Sequence, residues 1–378
     1  MKRLWFAFVL LATYVSIYPF DFQFRPIDAE TLRAFLDSWR HMSSRGDILG
    51  NVVLFVPFGI LGMLAARPGT QNLRRLLQVC LLGTVFAFVL QVAQFYLPSR
   101  DQALQDVVWN LLGTVAGATL GLVAGEYLLS TAARAREVRL VPWALIAGWL
   151  FYRLIPFVPS IDFQNVKDSL KPLLLHPELT ATGVFVDAVG WLVIAYLLRY
   201  AQRGRSLSRF LPILILADFA LEVLIVRNQV SASNVLGALV AVIAWFVWLR
   251  RIRRPAGPIA LLMLLMLAVK GAAPFELREE AASFAWLPFK GYLGGSMWLN
   301  TQAACEKLFH YGSLVYLLWR TRFDRVLTTT VAFLVVLFIE LAQIGLAGHS
   351  PEITDPLLVL AVAFAILALE GLTPRRRR

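Results

Sequence analysis

Two stretches of the chain carry the same polar pattern. "LQVAQFYLPSRDQALQD" covers 90–106 and "IELAQIGLAGHSPEITD" covers 339–355. Laid together without a gap, Gln91, Gln94, Arg100 and Asp106 fall on Glu340, Gln343, His349 and Asp355. Gln91 and Gln94 are three residues apart and share a helix face, as do Asp106 and Asn110, four apart. Asp106 falls in the first turn of its helix, where a carboxylate caps free amides and suits the positive end of the dipole. Arg100 lies between the two faces with a planar fork suited to carboxylate or phosphate. Two readings of it stand side by side. It pairs with Asp106 and clasps the hairpin, or it joins the glutamine amides in holding an anionic headgroup. His349 at the matched position would add a titratable partner to the permanent cation, since histidine changes charge near about pH 6.5.

Other residues extend the set. Lys307 lies three residues before His310, with Glu306 beside it. A histidine near Glu340 could serve as a general acid or base; alternatively it is satisfied by interhelical hydrogen bonds. A zinc site needs three or four suitably spaced ligands, which the spacing does not offer, so neither metal nor cofactor is expected. Asp187, Asp218 and Glu222 fall in or at the ends of apolar runs, while Arg153 and Lys270 precede Pro156 and Pro274. Unpaired buried charge is costly, so these bases should neutralise these acids; a proton- or substrate-handling pathway is the other reading. Nucleophile elbows, phosphate loops and dinucleotide fingerprints are absent, and whether the protein is an enzyme stays open.

The elements that must position these residues are apolar. The chain is 58% hydrophobic and 16% charged, against about 25% charged for a soluble domain. Apolar runs of about 20 residues cross a hydrocarbon core of about 30 Å. Twelve occur, near 4–20, 48–66, 76–97, 106–129, 141–158, 182–198, 210–226, 233–249, 257–273, 304–319, 326–346 and 354–371. The expectation is an all-α polytopic protein of the bacterial cytoplasmic (inner) membrane.

The net charge of +12 does not call for nucleic acid. With the N-terminus cytoplasmic, alternate loops hold 23 of the 36 basic residues, among them Arg67, Arg74, Arg75, Arg134, Arg136, Arg139, Arg199, Arg203, Arg205 and Arg209. Arg250 to Arg254, Arg320 to Arg325 and Arg375 to Arg378 continue the series. This positive-inside bias places both termini in the cytoplasm. The basic, apolar start imitates a signal peptide, but no small-x-small cleavage site follows, so it reads as an uncleaved first span. Cys80 and Cys305 receive no disulfide assignment.

Repetition organises the runs. A fainter third copy of the pattern, "LEVLIVRNQVSASN", covers 221–234, where Glu222 takes the place of Gln91 and Asn234 answers either Asp106 or Asn110. Three first spans end in "YPFDF", "IPFVPSIDF" and "APFEL". Amphipathic patches such as "DAETLRAFLDSW" and "VKDSLKPLL" then suit helices lying on the membrane interface. Second spans open with Asn51, Asp187 and His310. Three four-helix units follow, 1–139, 140–253 and 254–378. An even number of spans gives each copy the same orientation, as in parallel repeats, with the recurring polar residues on the outer face.

"NVVLFVPFG" at 51–59, "QVAQ" at 91–94, "PSR" at 98–100 and "DVVWNLLG" at 106–113 resemble the VanZ-like family, a four-span membrane module first noted beside glycopeptide-resistance functions. The family pattern has Glu where this chain has Gln91. The third unit resembles a branch with Lys-x-x-His at Lys307 and His310, and keeps Glu340, Gln343 and Asp355; the second unit is eroded. The resemblance implies a setting in the bacterial cell envelope. The functional expectation is binding of an anionic amphiphile or lipid-linked envelope precursor at the outer leaflet, with Asn51, Gln91, Gln94, Arg100, Asp106, Asn110, Lys307, His310, Glu340, Gln343, His349 and Asp355 as the candidate site. Transport of that molecule, or its enzymatic modification, are the alternatives. The expected partners are membrane lipids and proteins of envelope biosynthesis.

Overall fold

A computed structural model describes residues 2–372 except 25, 41–44, 66–71, 101, 133–138, 176, 178, 203 and 293–296. Of the basic loop residues, Arg67, Arg134, Arg136, Arg203 and Arg375 to Arg378 lie outside the described residues. Each of the twelve apolar runs is a helix: α1 (Lys2–Ile17), α3 (Arg45–Ala65), α4 (Asn72–Gln94), α5 (Leu104–Ala132), α6 (Leu140–Leu154), α8 (Ala181–Tyr200), α9 (Leu211–Leu224), α10 (Ala232–Val247), α11 (Ala256–Ala272), α12 (Met297–Leu318), α13 (Arg325–Ala342) and α14 (Thr354–Leu372). Two amphipathic patches form α2 (Ala29–Asp37) and α7 (Phe163–Leu174). Among the described residues there is no β-strand, only isolated bridges. Six helices are long and apolar enough to cross a membrane, α3, α4, α5, α8, α10 and α13; α6 and α11 are shorter apolar helices. The protein is an all-helical polytopic membrane protein.

Sequence chemistry sets the ends of the shorter helices. Asp28 caps α2 by accepting from the Thr31 N–H at 2.8 Å, and Asp162 caps α7 by accepting from Gln164 N–H at 3.2 Å. At α10, Ser231 and Asn234 form a reciprocal capping box, which satisfies two orphan donors at once. The segment between α11 and α12 differs: its described part carries no amphipathic helix. It crosses in extended form, bridging Leu277 to Leu346 and Ala285 to Glu352.

The chain forms two compact bodies, Met1–Ala135 and Arg136–Arg378. In the first, α5 packs closely on α3. A methyl group at Gly113 or Gly117 would run into the Val52 or Val56 carbonyl, and one at Gly59 into that of Thr114. Small residues at this spacing let helix backbones approach within a membrane, where dispersion and not water drives association. Phe55, Phe58 and Phe86 form the aromatic centre, and Trp5 joins α1 to it. In the second body α8 is the central post: its side chains from Ala188 to Leu198 are buried. Trp149, Trp245 and Tyr316 fill the space around it, beside its own Trp191.

Candidate functional site: polar clamps at the hairpin ends

The first helix of each four-helix set ends at a proline. The peptides Tyr18–Pro19, Ile155–Pro156 and Ala273–Pro274 are all cis, and Phe20, Phe157 and Phe275 follow with φ of 68°, 60° and 68°. Their N–H groups donate to the carbonyls of Ile17, Leu154 and Ala272 at 3.0, 2.8 and 2.7 Å. The last carbonyls of a helix have no donor within it, and in an apolar setting each unmet group is costly.

The repeated polar residues meet that need. In the first body, Gln94 Nε2 donates to the Ser16 carbonyl at 2.9 Å, and Arg100 Nε donates to that of Tyr18 at 2.8 Å. Gln91 Nε2 donates to Asp106 at 3.2 Å, and Gln91 Oε1 accepts from the Ala103 N–H at 3.1 Å. In the second body the same four contacts recur at the matched positions. Gln343 Nε2 donates to the Gly271 carbonyl at 3.0 Å, and His349 Nε2 bonds that of Ala273 at 2.5 Å. Glu340 contacts Asp355, and Glu340 Oε2 accepts from the Glu352 N–H at 2.8 Å. The polar pattern is thus a clamp that fastens the third-to-fourth-helix hairpin to the end of the first helix.

Arg100 does not pair with Asp106. Its fork turns to α1 and reaches the Val15 carbonyl as well, at 3.3 Å, because a row of orphan carbonyls offers several acceptors to a planar donor. Asp106 is held by Gln91 and by Asn51 of α3. Asn110 is buried behind it, with Oδ1 lacking a donor.

In each set the second helix binds the polar residue that opens the fourth: Asn51 with Asp106, Asp187 with Asn234 at 2.7 Å, and Lys307 with Asp355 at 2.7 Å. Asn234 therefore corresponds by its partner to Asp106 and not to Asn110. Around Asp355 the second body adds residues that sequence reasoning passed over. Tyr311 donates to the other carboxylate oxygen at 2.6 Å, Glu352 lies 3.7 Å from Lys307, and the Lys307 ammonium lies 5.3 Å from the centre of the Tyr292 ring. The four-residue step from Lys307 to Tyr311, one helix face, was the available signal. Burial lifts the Glu352 carboxyl above its ordinary range, with Lys307 opposing and Asp355 adding to the rise.

His310 stands apart from Lys307. It is buried against Phe309 and Tyr152, with ring centroids 5.6 and 6.3 Å away, and no hydrogen bond joins it to Glu340. Lys270 pairs with Glu306 of α12.

The middle set replaces the clamp by charge. Arg153 of α6 reaches Asp218 at 2.8 Å, Glu222 at 2.9 Å and Asp187 at 3.5 Å. Asn228 supplies the amide, donating to the Arg153 carbonyl at 2.7 Å. The guanidinium lies over Trp149 and Trp191, 4.8 and 5.7 Å from the ring centres. Asp218 Oδ1 and Glu222 Oε2 are buried without a donor. Arg153 thus neutralises Asp187, Asp218 and Glu222 as the sequence led one to expect, whereas Lys270 pairs with Glu306 of α12 and not with any of these three acids. No group of three or more His, Cys, Asp or Glu side chains among the described residues is arranged to hold a metal ion.

Helices α1 to α5, with their Asn51–Asp106 contact and Gln91–Gln94 face, coincide with a known module: residues 5–125 match the model of the family described as VanZ/LLP1. Over those residues the chain is similar to the VanZ-like family. The match covers the first body alone, so the clamp at Glu340, Gln343, His349 and Asp355 is the tie between the VanZ-like pattern and the rest of the chain. No curated protein and no solved structure matches the chain.

Proposed function

We propose that this VanZ-like membrane protein holds an anionic amphiphile or lipid-linked precursor of the bacterial envelope at the outer leaflet of the cytoplasmic membrane. The chain acts there as three four-helix units, 1–139, 140–253 and 254–378, in one orientation. The observation that carries the reading is α7, a helix fastened across the hairpin end of the middle set. Asn165 donates to the Val223 carbonyl, and the Ser169 carbonyl accepts from the Val230 N–H. Its outward face carries Lys167 and Lys171 between Phe163, 80% exposed, and Leu174, 69% exposed. Cations flanked by apolar side chains suit a headgroup–acyl boundary. Helix α2 likewise exposes Leu32, Arg33 and Leu36, but beside the acids Glu30 and Asp37, so the cationic face is that of α7. Because Arg100 and His349 are spent on helix-end carbonyls, the interfacial helix α7 and not the clamps supplies the cations for the anionic group. The clamps hold the platform.

Mass spectrometry of lipids retained by the purified protein tests this. An anionic lipid or lipid-linked species should be enriched in the wild type and depleted several-fold in Lys167→Gln/Lys171→Gln. Equal retention by a correctly folded double variant would remove the reading.

Movement of the same molecule is favoured by a separate observation, the Arg153 cluster. Charges set among spans are costly, and such groups mark pathways in many membrane proteins. A transporter or flippase should lose transbilayer movement of a fluorescent anionic lipid in vesicles when Asp218→Asn or Glu222→Gln is introduced. Movement that survives both substitutions would leave binding alone.

A further inference from the structure

At the other end of the middle set the chemistry is of a different kind. Between the end of α8 and the turn after α10 lies a cavity of about 350 Å³, lined by Arg199, Ser206, Ser208, Arg209 and Arg250. A second cavity, of about 500 Å³, adjoins it across Arg199 and Ser206 and adds Arg139 and Arg205. None of these five arginines forms an ion pair with a described acid.

Aromatic rings hold most of them instead. Arg209 lies over Phe210 at 4.7 Å, Arg250 over Phe246 at 5.7 Å, and Tyr200 receives both Arg199 and Arg139, at 5.5 and 5.9 Å. A ring contact steadies the guanidinium through its face and leaves the edge with its N–H donors for an anion; Arg199 spends one of its donors on the Arg250 carbonyl at 3.1 Å, which ties it to the Arg250 side of the cavity. The Ser206 and Ser208 hydroxyls, 2.9 Å apart, add donors at the wall of the cavity.

Insertion topology alone asks only for basic residues in such a loop. The corresponding loop of the next set meets that requirement and is neutralised: Arg320 and Arg325 both pair with Glu370, at 2.7 and 3.0 Å. The cluster around Arg199 has the same topological excuse but no counter-charge, and it surrounds a cavity. Phe210 is 42% exposed and Trp248 60% exposed at the same level, which suits a ligand with an apolar tail beside its anionic group.

We propose that this cavity is a phosphate-binding site, on the face opposite the clamps, for a phosphate ester. The ester is either the headgroup of an anionic phospholipid or a soluble phosphorylated molecule. Convergent arginine forks and hydroxyl donors are the groups that recognise phosphate, and basic pockets at the positive side of a bundle bind anionic headgroups. The proposal does not rest on ligand binding at the outer leaflet.

The test uses the full chain in discs of zwitterionic lipid, with phosphatidylglycerol and inorganic phosphate as separate probes. Native mass spectrometry counts bound phosphatidylglycerol, and equilibrium dialysis measures phosphate. In the Lys167→Gln/Lys171→Gln background, which removes the α7 face from the lipid count, Arg209→Gln/Arg250→Gln should weaken binding by at least about tenfold, or about 1.4 kcal/mol, while Arg320→Gln leaves it unchanged. Phosphatidylglycerol bound without competition from phosphate assigns the site to a lipid headgroup; competition by phosphate assigns it to a soluble ester. The two arginines are exposed, so folding should survive; should it not, a rise in wild-type melting temperature with either probe is the readout. Binding of neither probe to the wild type, or binding indifferent to the arginines, overturns the proposal.

Discussion

Glu340 and Gln91 hold the same place in two clamps but present opposite chemistry to the aspartate they meet. Gln91 donates to Asp106, whereas Glu340 brings a second carboxyl group to Asp355, and Lys307 and Tyr311 make up the missing donors. Glu340→Gln should therefore be tolerated within about 1 kcal/mol, the net worth of a typical hydrogen bond. Lys307→Met should cost about 3–5 kcal/mol, because it leaves the buried carboxylates without their cation. Denaturant or thermal unfolding in detergent separates the two; equal losses would show that the third set does not follow the first. Arg153→Gln strands three acids and should likewise cost about 3–5 kcal/mol, with Arg153→Lys only partly restoring stability, since an ammonium lacks the fork. Glu352 gives a pH signature. A carboxyl raised by burial holds its proton in the folded state at pH values where the unfolded chain has lost it. Its contribution is present at low pH and is lost as pH rises through the folded-state value. Stability measured from acid to neutral pH should fall across that window in the wild type, and the slope should flatten in Glu352→Gln.

At the scale of elements, the twelve apolar runs announced twelve helices, since hydropathy and helix length are local properties. The amphipathic patches announced α2 and α7 for the same reason. The extended strap after α11 was not legible, because its partners at Leu346 and Glu352 lie some 70 residues away and the patch is broken by "AASFAWLP". The alignment of Arg100 with His349 was readable, but their acceptors were not: a carbonyl at a helix end has no sequence signature. That gap made Asp106 look like the natural partner of Arg100. Tyr311 escaped notice because a tyrosine near a span end reads as an interfacial anchor. The glycine face of α5 was hidden in the same way, since close approach depends on which helix lies opposite. Gly117→Val should push α5 off α3 and cost about 1–3 kcal/mol by overpacking. Leu120→Val, 55% exposed on the same helix, should change stability by under about 0.5 kcal/mol. A thermal melt of both variants decides, and equal melting temperatures would contradict the close contact.

For the whole molecule, the account depends on orientation. Three first helices end in the same turn, and each is fastened by its own hairpin: Gln94 at Ser16, Asn228 at Arg153 and Gln343 at Gly271. If the sets are parallel, all three fastenings face the outside and the arginine-rich loops face the cytoplasm. Labelling with a membrane-impermeant thiol reagent reads this directly. After Cys80→Ala and Cys305→Ala, single cysteines are placed by Gln102→Cys, Asp168→Cys, Glu280→Cys and Arg322→Cys, one substitution per variant, in intact cells stripped of their outer barrier. The account predicts labelling at Gln102→Cys, Asp168→Cys and Glu280→Cys without permeabilisation, and at Arg322→Cys only after it. Protection of any of the first three in cells where Arg322→Cys reacts would contradict the common orientation, and with it the outer-leaflet platform.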